Sequence, residues 1–205
     1  MEARWMVQGI LSFQLLFLFQ SIGLAQTPDC ELKKQKDGIQ VYTCKSDTSK
    51  FRSLRAEFVI ERTTIKDLEA FLFDVPNYVN WQYNAAESKL LEQLDSHTMI
   101  YRLVIDAPWP VDNRELIVRF AVQKGIEKVT FTMNTVPSAY PLGEDVIRVP
   151  FSQARWEVTP IHTDLHVKYF MNINPGGYVP PMLVNIAMAE GPYQSFRNLK
   201  RLIRK

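Results

Sequence analysis

The chain has 205 residues, 46% of them hydrophobic and 22% charged, with 24 Lys and Arg against 22 Asp and Glu. That composition is of a globular protein, in one domain with at most small appendages, and excludes a disordered chain. A formal charge of +2, without a basic run, zinc-spaced cysteines or an RNA-binding aromatic motif, leaves no electrostatic footprint for nucleic acid, so no nucleic-acid partner is expected.

The first 25 residues differ from all that follow. Arg4 gives a short positive start, Ile10–Leu18 is nearly all apolar, and Gly23-Leu24-Ala25 puts small residues at the cleavage-site positions. This is the layout of a secretory signal peptide. An uncleaved membrane anchor is the alternative, but Gln8, Gln14 and Gln20 interrupt the run of about 20 apolar residues that a spanning helix needs. The expected organisation is a signal peptide over 1–25, cleaved near Ala25, and one domain over 26–205, periplasmic or secreted. In an oxidising compartment Cys30 and Cys44 read as a disulfide, with two separate buried thiols as the alternative.

Glu31–Lys36 is charged and reads as a helical turn or two, ended by the Asp37-Gly38 turn signal. Ile39–Lys45 and Phe51–Glu61 alternate as strands, and the polar loop Ser46–Lys50 joins them as a hairpin. Thr63-Thr64 offers an N-cap to a helix over Lys66–Val75, which Pro76 stops. Pro76–Gln82, with Tyr78 and Trp81, reads as a second short helix or tight turn. Six strands follow: Ala85–Leu94, Thr98–Asp106, Arg114–Gln123, Lys128–Val136, Gln153–Thr159 and Asp164–Ile173. Short turns between most of them predict an antiparallel meander, while Pro137–Phe151 reads as a surface loop. After the Asn174–Gly177 loop, apolar residues from Met182 to Ile203 recur at three- and four-residue steps. They predict an amphipathic helix with a basic outer face of Arg197, Lys200, Arg201 and Arg204, kinked or briefly broken at Gly191-Pro192. A sheet with one apolar face needs a cover, and the last helix is the long element left to supply it. The fold expected is α+β: a curved antiparallel sheet wrapped around a long C-terminal helix, a helix-grip.

The stretch Ala107–Val122 is the most informative. A Pro-Trp-Pro loop leads into a strand whose Leu116, Val118, Phe120 and Val122 point one way and Glu115 and Arg119 the other. Arg114 has the parity of the apolar face. A charge aimed at a core needs an ion pair, a hydrogen-bonded cage or a polar ligand. Two readings stay open: its guanidinium holds a ligand's polar head, or it pairs with a carboxylate such as Asp112 or Glu190.

PWPVDNRE (Pro108–Glu115) resembles a signature of START domains, the lipid-transfer relatives of the steroidogenic acute regulatory protein. NPGGYVPPMLVN (Asn174–Asn185) and GPYQSFRNLK (Gly191–Lys200) resemble their last turn and C-terminal helix, and the element order matches over Glu31–Lys205. Gln82 and Glu115 stand where many members carry Asp. The resemblance implies a hydrophobic tunnel holding one lipid or sterol, gated by Ala107–Asn113 and the helix from Val179. No cofactor and no metal are expected.

The inward set read from alternation contains Phe58, Met99, Tyr101, Leu103, Arg114, Leu116, Val118, Phe120, Phe131, Met133, Trp156, Val167, Tyr169 and Met171. Such residues fill a core or line a pocket for a flexible apolar ligand. The ligand-binding candidates are Arg114, Tyr101, Trp109, Phe120, Met133, Trp156, Tyr169, Met182 and Ile186. His97, His162 and His166 are the only histidines and form no metal pattern; no nucleophile elbow or phosphate loop occurs. The function expected is non-catalytic carriage of one hydrophobic molecule by a monomer that touches membranes transiently. A polyketide cyclase-like enzyme using the same cavity, or a ligand-free interaction module, are the alternatives.

Overall fold

A computed structural model describes residues 29–45, 51–136 and 140–203; the expected signal peptide with its cleavage position, the Ser46–Lys50 loop and Arg204 lie outside them. Alternating apolar residues form most of a ten-stranded sheet. The elements are β1 (Cys30–Lys36), β2 (Ile39–Cys44), β3 (Ser53–Ile60), α1 (Ile65–Phe73), a 3-10 turn (Val75–Asn77), α2 (Tyr78–Trp81), β4 (Ala85–Asp95), β5 (Thr98–Ile105), β6 (Asn113–Lys124), β7 (Val129–Thr135), β8 (Val146–Arg148), β9 (Phe151–Ile161), β10 (Asp164–Asn174) and α3 (Pro181–Leu202). The strand order is β1-β2-β3-β10-β9-β7-β6-β5-β4, antiparallel throughout, with β8 added in parallel to the start of β6. The inner face of the curved sheet packs on α3, so the fold is the expected helix-grip.

Three expectations are corrected. Glu31–Lys36 is not a helical turn but most of strand β1. CELKKQK lacks an apolar face because β1 is a sheet edge, where exposed lysines also discourage pairing with another chain. Asp37 and Gly38, both at positive φ (54° and 70°), make the two-residue turn that pairs β1 with β2. Cys30 lies opposite Cys44 in that register, and the two form a disulfide. Within the expected surface loop Pro137–Phe151, Val146–Arg148 forms β8, pairing Asn113 with Val146 and Glu115 with Arg148. Three residues are too few for alternation to register. Helix α3, finally, runs unbroken through Gly191-Pro192. Met188, Tyr193, Phe196 and Leu199 are buried on both sides of the proline, so packing outweighs the one amide hydrogen bond that Pro192 cannot make.

The helices before β4 close one end of the sheet. Thr64 caps α1 in a reciprocal arrangement with Asp67: each side chain accepts from the other's backbone N–H. Leu68, Leu72, Val75, Tyr78 and Trp81 are buried against the sheet and α3. Asn198 on α3 donates to the Trp81 carbonyl, and the Tyr83 amide donates to the Ser195 hydroxyl. The basic side of α3 is not free: Lys200 donates to the Asp37 carbonyl and Arg197 pairs with the Asp37 carboxylate. These contacts fix the second half of α3 to the turn between β1 and β2 and to α2.

Candidate functional site

Inward-facing residues of β5, β6, β7, β9 and β10 divide along the strands. At the end nearest α1, Met99, Phe120, Phe131, Val158 and Val167 have no exposure. Phe73 meets Phe120 edge-on at 5.1 Å, and Phe58 stacks on Phe196 of α3 at 4.6 Å. Trp156 is enclosed by Phe58, Tyr169 and Phe196, all at ring distances under 6 Å (5.9, 5.5 and 5.3 Å). This end is a packed aromatic core. Toward the other end, inward residues of the same strands, Ile105, Leu116, Met133 and Met171, are only partly buried, as is Val184 on the first half of α3. An apolar inner wall that its own helix covers incompletely can accept an apolar molecule.

The partly covered end is bounded by two loops that meet at Arg114. As its parity indicates, this side chain turns inward and is 7% exposed. Its partners are not carboxylates, which overturns the second of the two open readings, a pair with Asp112 or Glu190. Nε donates to the Pro175 carbonyl at 3.0 Å, Nη1 to the Asp112 carbonyl and Nη2 to the Gly176 carbonyl at 3.3 Å. Glu190 is instead bound by Lys34. Burial pushes the guanidinium's pKa down, and the nearby Asp112 charge partly opposes that. Gly176 and Gly177 have φ of 69° and 58°, and a Cβ on Gly177 would lie 2.8 Å from Ile147 of β8. Glycine lets this loop approach Arg114 and β8. One arginine thereby joins the loop before β6 to the loop before α3.

Glu115, expected to face solvent, is fully buried on the outer face. It accepts from Arg102 of β5 and from Arg148 of β8, and Arg102 also pairs with Glu87 of β4. Burial alone would raise the Glu115 pKa; the hydrogen bonds and charges of the two arginines outweigh it, and the carboxyl sits below its ordinary range. The segment around Gly143 lies over this triad, where a Cβ would come within 2.5 Å of Arg102 and 3.1 Å of Glu115. Alternation could not reveal this burial, because the cover comes from a segment read as a surface loop.

Of the residues nominated from the sequence, Tyr101, Phe120, Trp156 and Tyr169 are buried on the inner face, and Met133 is partly buried there. Trp109 (92% exposed), which the cis Trp109–Pro110 bond follows, and Ile186 (53% exposed) lie at the surface rather than on the inner wall. The Met182 side chain is outside the described structure. Phe73, Tyr78 and Phe196, not nominated as ligand contacts, complete the inner aromatic cluster from the helices. Helical spacing marked Phe196 as apolar without showing that it faces the sheet, and Phe73 stood outside the repeat read for α1. His166 lies on β10 and His162 in the turn before it, and no group of three or more His, Cys, Asp or Glu suited to a metal occurs among the described residues.

No family model matches the chain. An uncharacterised protein of Pseudomonas aeruginosa is 28% identical over 203 residues, covering 97% of this chain and 100% of the relative. The crystal structure of a STAR-related lipid transfer protein from Xanthomonas axonopodis is 28% identical, with a TM-score of 0.80 over 86% of this chain and 99% of that one. Human StAR-related lipid transfer protein 5 has a TM-score of 0.74 at 14% identity over 88% of both chains, a likeness of fold alone. The sheet order, the gripping helix and the two loop signatures agree with these comparisons: the chain is START-like, a helix-grip domain of the architecture seen in STAR-related lipid transfer proteins.

Proposed function

We propose that this domain binds, and transfers between membranes, one hydrophobic molecule held between the sheet and α3. The observation that carries the reading is the division of the inner face: sealed aromatics at one end, and partly uncovered Ile105, Leu116, Met133 and Met171 facing the first half of α3 at the other. Each methylene moved from water onto such a wall contributes about 0.8 kcal/mol, so a lipid chain binds without any chemistry. The X. axonopodis structure, similar over nearly its whole length, is described as a lipid transfer protein, which supports the same use here.

In this reading Tyr101, Phe120, Met133, Trp156, Tyr169 and Met182 line or back the ligand. Residues 107–113 and α3 form the gate, and Arg114 ties that gate shut through the three carbonyls. Trp109 and Ile186, exposed beside it, touch the membrane while the gate is open. The domain works as a monomer outside the cytosol after removal of 1–25; the Cys30–Cys44 disulfide supports an oxidising setting.

The test is to incubate purified protein with vesicles of mixed lipid composition, re-isolate it and extract what it carries. The reading expects one apolar molecule per chain. Protein that returns empty from every mixture contradicts it.

A further inference from the structure

We infer that the bound molecule carries one uncharged oxygen, a hydroxyl or carbonyl, at its deep end, and that Tyr101 and Tyr169 recognise it. This rests on the reading that the interior holds a hydrophobic molecule.

Tyr101 of β5 and Tyr169 of β10 stand on opposite arms of the curved sheet, with β9, β7 and β6 between them. They are 2% and 8% exposed. Their rings are fixed: Tyr101 meets Tyr78 at 5.2 Å, and Tyr169 meets Trp156 at 5.5 Å and Phe196 at 5.0 Å. The hydroxyls are close enough that charge on Tyr169 would disfavour charge on Tyr101. Yet no hydrogen bond joins either hydroxyl to another described residue, and neither oxygen is among the sealed, unpartnered polar atoms, which are Arg55 Nε, Trp81 Nε1 and Trp156 Nε1, so both hydroxyls face space that a small molecule can reach. Tyrosines with a structural part in this protein behave otherwise. Tyr78 donates to the Leu72 carbonyl, and Tyr193 donates to the Asp37 carboxylate at 2.6 Å. Phenylalanine would fill the same space, so on an apolar inner face the hydroxyl gains its place only by meeting an acceptor. Two such phenols facing one apolar interior are donors held for an acceptor that arrives from outside. The Trp156 indole N–H differs, because it lacks a partner while three rings box it in, out of a ligand's reach.

The charge of that acceptor follows from its surroundings. Arg114 is the one buried cation among the described residues, and its Nε, Nη1 and Nη2 are each committed to a loop carbonyl. No cation acts on either phenol, since the one charge interaction at Tyr101 is with Tyr169 and Tyr169 has none, so a phosphate or carboxylate beside them would have no counter-charge, and burying an uncompensated anion is prohibitive. Burial raises the pKa of both phenols, so they remain protonated donors. A neutral oxygen on a long or rigid apolar body satisfies both hydroxyls and enters oxygen-first.

The experiment offers the full mature protein phosphatidylcholine vesicles doped with hexadecane, 1-hexadecanol or palmitate, and reads occupancy by mass spectrometry of the re-isolated protein. Hexadecanol is expected to be taken up in preference to hexadecane, palmitate and phosphatidylcholine. Tyr101→Phe and Tyr169→Phe should each lower the ratio of hexadecanol to hexadecane occupancy roughly 2- to 10-fold, with Tm unchanged. Equal uptake of hexadecane and hexadecanol overturns the inference and leaves the carrier reading standing. So does a preference for palmitate or phosphatidylcholine, or a fall in Tm in both variants, which would place the hydroxyls in structural bonds. Uptake of none of the four overturns the carrier reading itself.

Discussion

Arg114 shows what one residue's parity can and cannot say. Its place in the alternation put a charge on the inner face, and it is there, 7% exposed. The partners were not legible, because backbone carbonyls of Asp112, Pro175 and Gly176 have no side-chain signature. Arg114→Leu leaves these carbonyls without their donor, and urea unfolding should show a loss of at least about 2 kcal/mol. A variant that unfolds at the wild-type midpoint would mean that the arginine does not join the two loops. Glu115 is the converse. Its parity pointed outward, but the segment around Gly143 covers it and Arg102 and Arg148 hold it charged. Because its folded pKa lies below the ordinary value of 4.5, its stabilisation is complete above that value and fades as the pH falls through the folded pKa. Glu115→Gln should therefore be less stable than wild type at pH 7 and should flatten the acid limb of stability against pH. Equal slopes on that limb would remove Glu115 as its source.

Elements were legible in proportion to the length and amphipathicity of their pattern. Long strands such as β6 and β10 and the helix α3 show clean periodicity and stand where alternation and helical spacing put them. β1 was missed because an edge strand need not have an apolar face, and β8 because it spans three residues. Of the kink or brief break expected at Gly191-Pro192, the break does not occur, since proline's local cost is fixed while the packing of Met188, Tyr193 and Phe196 around it is tertiary. Among the described residues β1 makes its ladder only with β2, at the sheet edge, and the cross-strand disulfide closes their hairpin. Replacing Cys30 and Cys44 with serine should lower stability by roughly 3 kcal/mol on the chain-entropy account. Hydrogen exchange should quicken in β1 before β3. Unchanged β1 protection would show that ladder and ion pairs hold this edge without the covalent link.

At the scale of the whole molecule, the order of elements and the two loop motifs sufficed to expect a helix-grip of START type, and the sheet order bears that out. The division of the inner face was not legible. Alternation assigns Phe131 and Met133 the same inward direction, yet the first is fully buried and the second only partly. The difference between a core and a container lies in that incomplete cover, which no local pattern encodes. Native mass spectrometry of the mature protein, isolated without denaturation from cells that make it, tests the container most directly. The account predicts a discrete one-to-one adduct that organic extraction releases as an uncharged lipid. A bare protein mass, unchanged after incubation with mixed lipid vesicles, would contradict it and leave the inner face a core that belongs to the fold alone.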